Sequence, residues 1–330
     1  MNLDKQSLIA ITMGDAAGVG PEIIAKFFAQ RPGVPAFVIG DVGVMTRAAT
    51  LAPGCPPVRP VASPDDARGA ILPVLPVSDL PADLAPGRVD AGAGRAAYDA
   101  ILAAIDLALD GRIRAMVTAP IHKEALAAAG IRHPGHTEIL AERTGTEHFG
   151  MMLTSAHLRV VLVSIHVPLA EAIRLVTRDR VVAAIRLADE GVRAFGVARP
   201  RIAVAGLNPH AGEGGLFGRE EIDIIAPAVA EAQAEGFDVT GPHAPDTVFM
   251  RARAGAFDAV VAQYHDQGLI PVKYLGIEGG VNITVGLPIV RTSVDHGTAF
   301  DIAWQGIADA GSLGAAYDAA VVLAERRQTT

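Results

Sequence analysis

The sequence predicts an α/β protein built on a largely parallel sheet, and three observations lead there. Short apolar runs alternate with longer amphipathic ones, the pattern of repeated strand–helix units. The chain has 330 residues, long for one hydrophobic core, which points to two lobes or one large α/β unit. Half of the residues are hydrophobic and 19% are charged, a composition that suits a packed interior and argues against disorder.

The elements follow in order. SLIAITM (7–13) reads as a strand that runs into a glycine turn and a helix beginning near Pro21. AFVIG (36–40), AMVTAP (115–120), LRVVLVSIH (158–166), RIAVAGL (201–207) and FDAVVAQ (257–263) are further strands. Helices fit between them at 95–110, 178–195, 219–236 and 312–326. The stretch 52–92, rich in Pro, Ala and Gly, reads mostly as loop with short elements. No internal repeat of fixed period is visible.

The formal net charge of −8 argues against a general nucleic-acid binder, because phosphate-backbone binding needs a basic face. Local basic residues can still hold one small anion. Cys55 is the only cysteine, so no intrachain disulfide forms. The start, MNLDKQSLIAITMGD, carries an early acid and too short an apolar run for a signal peptide. No stretch reaches the ~20 apolar residues that span a bilayer. A soluble, cytoplasmic protein is expected, with neither nucleic acid nor membrane as a partner.

The placement of the histidines carries the most chemistry. His166 closes LRVVLVSIH, His210 follows RIAVAGL, and His265 follows FDAVVAQ, so three of the ten histidines fall at the ends of apolar strands. Ligands of open α/β sheets bind at the carboxyl ends of strands. Three imidazoles delivered there can converge on one divalent metal with positions left open for substrate. Taken singly, each is an ordinary loop histidine. Zinc suits imidazole ligands, with Co²⁺, Ni²⁺ or Mn²⁺ as alternatives.

Other signals are weaker alone. In ITMGDAAGVGPEI (11–23) the spacing of Gly14, Gly18 and Gly20 fits neither a phosphate-binding P-loop nor a dinucleotide fingerprint, so a tight structural turn is expected. TAPIHKEAL (118–126) and PGHTEIL (134–140) bring Lys123, His136 and Thr137 beside small residues, which suits an anion or simple helix capping. Lys273, Asn282 and Arg291 interrupt apolar surroundings. Each needs a partner there: nearby acids, or a doubly anionic ligand in a cationic pocket.

Together GD-x-x-GVGPE, TAPIHKEAL, GHTE, GLNPHAGEGGLFGREE, PDT, YHDQG and GVNIT-x-GLP-x-x-RTSVDHGTA resemble the 4-hydroxythreonine-4-phosphate dehydrogenase family, over about residues 8 to 325. FDAVV and HGTAFDIAWQGIADA (296–310) are similar, more distantly, to the isocitrate and isopropylmalate dehydrogenases. Those enzymes bind metal through aspartates, where this chain offers His166, His210 and His265.

The resemblance implies a two-lobed α/β/α fold of the isopropylmalate dehydrogenase kind. Residues 1–125 and 275–330 would form a first lobe with the NAD loop, and 126–274 a second lobe with the metal ligands and the dimer contact. It implies one divalent metal per site, zinc or else Co, Ni, Mn or Mg, held by His166, His210 and His265 in a homodimer with shared active sites. His136, Thr137, Lys273, Asn282 and Arg291 would bind a small phosphorylated substrate. NAD would lie on the loop 295–302, at His296, Gly297, Thr298, Ala299 and Asp301. Lys273, or a water that it holds, would be the general base. Asp246 joins it as a candidate catalytic residue, with Thr247 beside it given no role. The implied activity is NAD-dependent oxidation and decarboxylation of 4-hydroxy-L-threonine 4-phosphate. Relatives of the family act on 4-phospho-D-threonate or 4-phospho-D-erythronate, and AITMGD and AFDIAWQGIAD look closer to those. Another relative oxidises an aromatic dihydrodiol dicarboxylate. A zinc hydrolase is the contrasting class, and HGTAFDIA counts against it.

Overall fold

The computed structural model describes residues 8–155, 157–274 and 280–327. These divide into two compact units, one taking the chain up to Thr146 and from Leu287 to Glu325, the other taking Glu147–Gly286.

The first unit opens with β1 (Ile9–Thr12), α1 (Gly20–Gln30), β2 (Ala36–Gly40), α2 (Val42–Ala49), β3 (Val58–Pro60), β4 (Leu72–Pro76), α3 (Ala91–Leu109), β5 (Ala115–Thr118), α4 (Lys123–Ala128) and α5 (His136–Thr144). The second unit contains β6 (Gly150–Thr154), β7 (Arg159–Leu162), α6 (Leu169–Leu175), α7 (Arg178–Ala194), β8 (Ile202–Ala205), α8 (Ala226–Ala234), β9 (Val239–His243), α9 (Pro245–Arg253), β10 (Ala259–Ala262), α10 (His265–Tyr274) and β11 (Val281–Val285). The chain then returns to the first unit with β12 (Arg291–Val294) and α11 (Gly311–Arg327).

In the first unit the strand order is β3-β4-β2-β1-β5-β12, and every pairing is parallel. Strands IAIT, AFVIG and AMVT are buried at every position, as parallel strands covered on both faces must be. Phe27 of α1 packs against Phe28 and against Tyr317 of α11, with ring centroids 5.6 and 5.1 Å apart. In the second unit the order is β11-β6-β7-β10-β8-β9. The pairs β7–β10, β10–β8 and β8–β9 are parallel, whereas β6 runs antiparallel to both β7 and β11. Leu153, Val160, Leu162, Val248, Val260 and Leu269 are among its core residues.

Capping sets several helix starts. Asp41 accepts from the Val44 amide ahead of α2, and Asp90 from the Ala93 amide ahead of α3, so α3 begins four residues before the expected 95. The expected helix at 219–236 opens as a π-turn over Glu221–Ile225 before α8. Residues 126–146 fall in the first unit, not beyond a boundary near 125, because α4 and α5 pack along α3. The other expected boundary, near 275, and Ser7 of the first expected strand lie outside the described residues.

Gly94 shows how closely α3 meets α4. A Cβ there would stand 2.2 Å from the Ala125 carbonyl oxygen and 2.8 Å from the Leu126 nitrogen, both backbone atoms that cannot turn aside. Gly94→Ala is therefore expected to lower the unfolding free energy by about 1–3 kcal/mol despite alanine's better helix propensity. Urea denaturation measures it; an unchanged midpoint would refute the close packing.

Candidate functional site

In the second unit, β7, β10 and β8 lie side by side and run parallel, so the segments that leave them emerge at one edge. These segments carry His166, His265 and His210. Three side chains tie the strand ends together. Gln263, fully buried, donates to the Ala205 carbonyl at 2.7 Å, and Gln267 donates to the Gly206 carbonyl at 2.8 Å while accepting from the Gln263 amide at 2.7 Å. Ser164 donates to the Gln263 carbonyl at 3.0 Å. These bonds satisfy backbone groups that the strand ladder leaves without partners.

The rings of His166 and His265 lie 5.4 Å apart, tilted by 45°. His265 Nδ1 is 2.7 Å from Asp266 Oδ1, a carboxylate contact that orients an imidazole and turns its Nε2 toward any other partner. His210 stands in a turn over Pro209–Gly215 whose residues from His210 to Gly214 all have left-handed backbone angles. Such a run in residues other than glycine is costly and needs anchoring. Glu221 supplies the anchor: its carboxylate accepts from the Leu207 and Asn208 amides at 2.7 Å each and from Asn208 Nδ2 at 3.0 Å. Burial pushes the Glu221 carboxyl up, but these donors outweigh it and hold the group below the usual carboxylate range. Among the described residues no three His, Cys, Asp or Glu side chains stand close enough together to hold a metal, so His166 and His265 meet without His210.

The other candidates of this unit are spread over its elements. Asp246 and Thr247 are exposed in the first turn of α9, which packs beside the His210 turn. Lys273 is exposed near the end of α10. Asn282 of β11 donates to Met151 Sδ at 3.0 Å, while its buried Oδ1 has no hydrogen-bond partner among the described residues.

In the first unit, Arg291 opens β12 and is only 3% exposed. Its Nε and Nη2 donate to Thr118 Oγ1 at 3.1 and 2.7 Å. Burial pushes the guanidinium down to about 9, with Glu138 opposing, so it stays charged at neutral pH. His136 begins α5, and its buried Nε2 has no hydrogen-bond partner among the described residues. Burial first, and the positive Arg291 second, hold the imidazole well below its ordinary value, so it is neutral. Thr137 follows it, half-buried, in the first turn of α5. Guanidinium, imidazole and helix N-terminus together favour a bound anion.

The loop 295–302 leaves β12 at the same edge from which β1 and β5 send out their loops. His296 is half-buried with Nδ1 2.9 Å from the Gly297 oxygen, and Gly297 and Asp301 are exposed. Thr298 is buried: its carbonyl accepts from the Val19 amide, and its side chain fills the space where a Cβ on Gly18 would stand 3.0 Å away. Ala299 has a left-handed φ of 42°. The glycine loop 14–20 is thus a close-approach turn; Gly14, at φ 72°, leaves no room for a side chain 2.4 Å from the Pro120 oxygen.

Two residues beside this loop carried no separate signal in the sequence. Asp15 is fully buried; Oδ1 accepts from the Ala17 amide at 2.8 Å, and Oδ2 has no partner among the described residues. His122 stacks on Phe300 with centroids 4.4 Å apart and leaves a buried Nδ1 likewise without partner. Burial raises the Asp15 carboxyl to about 6, against lowering by the Ala17 amide and His122. The stabilising contribution of a raised acid is full below its unfolded value of 3.8 and is lost as pH rises through about 6. Asp15→Asn removes that ionisation, so it should gain about 3 kcal/mol on the wild type between about pH 4 and pH 7. Thermal unfolding of both proteins across this window tests it, and a constant gap between them would refute the buried acid.

Comparison with known proteins gives a consistent answer. The family model described as "Pyridoxal phosphate biosynthetic protein PdxA" matches residues 34–320. The chain is 60% identical over 318 residues to a 4-hydroxythreonine-4-phosphate dehydrogenase of Beijerinckia indica subsp. indica, covering 96% of this chain and 94% of that protein. It is 48% identical over 325 residues to a D-threonate 4-phosphate dehydrogenase of Pectobacterium atrosepticum, covering 96% and 99%. The crystal structure of 4-hydroxythreonine-4-phosphate dehydrogenase from Klebsiella pneumoniae superposes with a TM-score of 0.89 at 48% identity, over 97% of this chain and 98% of that one. With strand-end histidines, buried arginine and glycine loop all set in this α/β frame, the chain belongs to the PdxA family.

Proposed function

We propose that the chain is an NAD-dependent dehydrogenase that oxidises the C3 hydroxyl of 4-hydroxy-L-threonine 4-phosphate. The 3-keto acid then loses CO₂, giving 3-amino-2-oxopropyl phosphate. The observation that carries this reading is His136, a neutral, half-buried imidazole whose buried Nε2 has no partner among the described residues, beside the buried Arg291 guanidinium. Such a group is costly unless a ligand completes it, and a phosphate or carboxylate does so. The 60% identical relative named 4-hydroxythreonine-4-phosphate dehydrogenase supports the choice of substrate.

The donor set fits a divalent metal in part. His166 and His265 are paired, with His265 oriented by Asp266, and His210 would be the third ligand. The metal would be zinc, with Co, Ni, Mn or Mg as alternatives. When bound, such a cation supplies Lewis acidity to a hydroxyl and its neighbouring carboxylate, and NAD takes up the hydride. The chain's own residues do the rest. Arg291, His136 and Thr137 hold the phosphate, and Asn282 Oδ1 accepts from a substrate donor. Lys273, exposed at the end of α10, takes the hydroxyl proton directly or through a water, and Asp246 stands beside the His210 turn. His296, Gly297, Thr298, Ala299 and Asp301 form the NAD loop. The apolar side chains exposed on the second unit, among them Leu169, Ile173, Met250 and Ile270, support a homodimer contact through that unit. No helix among the described residues is long and apolar enough to cross a membrane.

A second substrate has a specific observation behind it: relatives named for D-threonate 4-phosphate are 47–49% identical, beside 47–50% for several named for 4-hydroxythreonine 4-phosphate. NADH formation by metal-loaded protein with each substrate separates the two. Higher kcat/KM with the amino substrate is expected, and the reverse order would assign the chain to sugar-acid oxidation. Chelation should abolish activity and added Zn²⁺ or Mn²⁺ restore it; full activity after chelation would remove the metal from the scheme. A bound phosphate should also lift the depressed His136 pKa. Substrate binding near pH 6 is therefore expected to take up a proton, and His136→Gln to abolish the uptake. Calorimetry in buffers of different ionisation enthalpy measures this, and equal uptake by the variant would clear His136 of the role.

A further inference from the structure

We propose that Glu22 and Lys26 of α1 are positioning residues for the dinucleotide loop, setting its affinity for NAD without touching the cofactor. The proposal rests on the assignment of NAD to the loop 295–302. Glu22 is completely buried, and its carboxylate accepts from the Ala308 amide at 2.8 Å and the Gly306 amide at 3.2 Å. Lys26, one helical turn on, pairs with Glu22 Oε1 at 2.8 Å. Its ammonium also donates to the Gly306 carbonyl at 2.9 Å and the Ala308 carbonyl at 2.6 Å. One ion pair therefore holds both the N–H and the C=O of two residues in a segment without regular secondary structure.

A buried ion pair is weak evidence for stability, because desolvation offsets its attraction; its best-supported use is to select one conformation. Here there is a conformation to select. Ala299 and Trp304, at φ 42° and 62°, are left-handed residues without glycine's freedom, and they bracket the turn that carries Asp301. Beyond them the backbone is pinned at Gly306 and Ala308 by the Glu22–Lys26 pair. Trp304 is pinned in addition by its indole N–H on the Ala16 carbonyl at 3.0 Å and by Arg47 lying 4.0 Å over the ring. Releasing the pair lets the strained turn relax, and a loop that must then be ordered by the cofactor binds it less tightly.

Trp304 is the chain's single tryptophan, so its emission reports this loop directly. Glu22→Gln keeps the shape but places an amide donor against the ammonium or a backbone N–H; Lys26→Met removes both bonds to carbonyls. Each is expected to raise KM for NAD tenfold or more, with kcat at saturating NAD and KM for the phosphorylated substrate within about twofold of wild type. Without any ligand, Trp304 emission should shift to the red and become more accessible to acrylamide, and Lys26→Arg should recover part of both effects. NAD titration of His296→Ala and Asp301→Ala is the control on the loop assignment. If those two bind NAD like the wild type, the loop assignment fails and the proposal falls with it. If they bind weakly while Glu22→Gln and Lys26→Met keep wild-type NAD affinity and emission, the positioning role alone is overturned. Equal losses in kcat, both KM values and thermal stability would reduce the pair to general packing and also overturn it.

Discussion

A parallel strand that ends inside a protein leaves backbone donors and acceptors unpaired at its carboxyl edge, and that requirement organises both units. In the second unit Gln263, Gln267 and Ser164 satisfy those groups and join β7, β8 and β10 end to end. In the first, the carbonyls and amides around Ala16, Val19 and Pro120 are satisfied by the segments leaving β1, β5 and β12. His166, His210 and the residues of the loop 295–302 ride on these loops, and His265 opens the helix that follows one of them. Their positions follow from how the strand ends are closed more than from any contact among themselves.

Charge is handled by the same economy. Glu22 and Glu221 are both almost fully buried, and both act on backbone amides of a loop that contains left-handed residues. Glu221 receives enough donors to remain ionised, and Glu22 has Lys26 beside it. Among the described residues Asp15 has only the Ala17 amide, and burial raises it accordingly. Asp15 and Glu221 thus shift in opposite directions because they differ in the number of donors they meet.

Much of this was legible in the sequence. Fully buried strands such as IAVA and AVVA are continuous apolar runs, and a polar residue that ends such a run stands out, as His166 and His265 do. His210 was legible as a residue but not as a geometry, because the left-handed turn that carries it depends on Glu221, eleven positions further on. Strands β11 and β12 were less visible, since Asn282 and Arg291 interrupt the apolar pattern that would mark them. Glu22, Gln263 and Gln267 lay inside quoted motifs and runs but had no role of their own there: a side chain that serves the backbone of a distant segment leaves no periodic mark. Thr298 shows the converse, a residue singled out by motif whose contacts are interior ones with Val19 and Gly18.

The first unit is discontinuous, and this has a consequence for synthesis. Its strand β12, paired beside β5, is made only after the whole of the second unit has been translated. The second unit is a nearly uninterrupted stretch and can close its core as soon as it leaves the ribosome. The first must wait with the flank of β5 open and its apolar strands unsealed, a long-range closure of the kind that slows folding. During that interval the nascent chain presents an unpaired edge, so assembly of the N-terminal half is the step most exposed to aggregation.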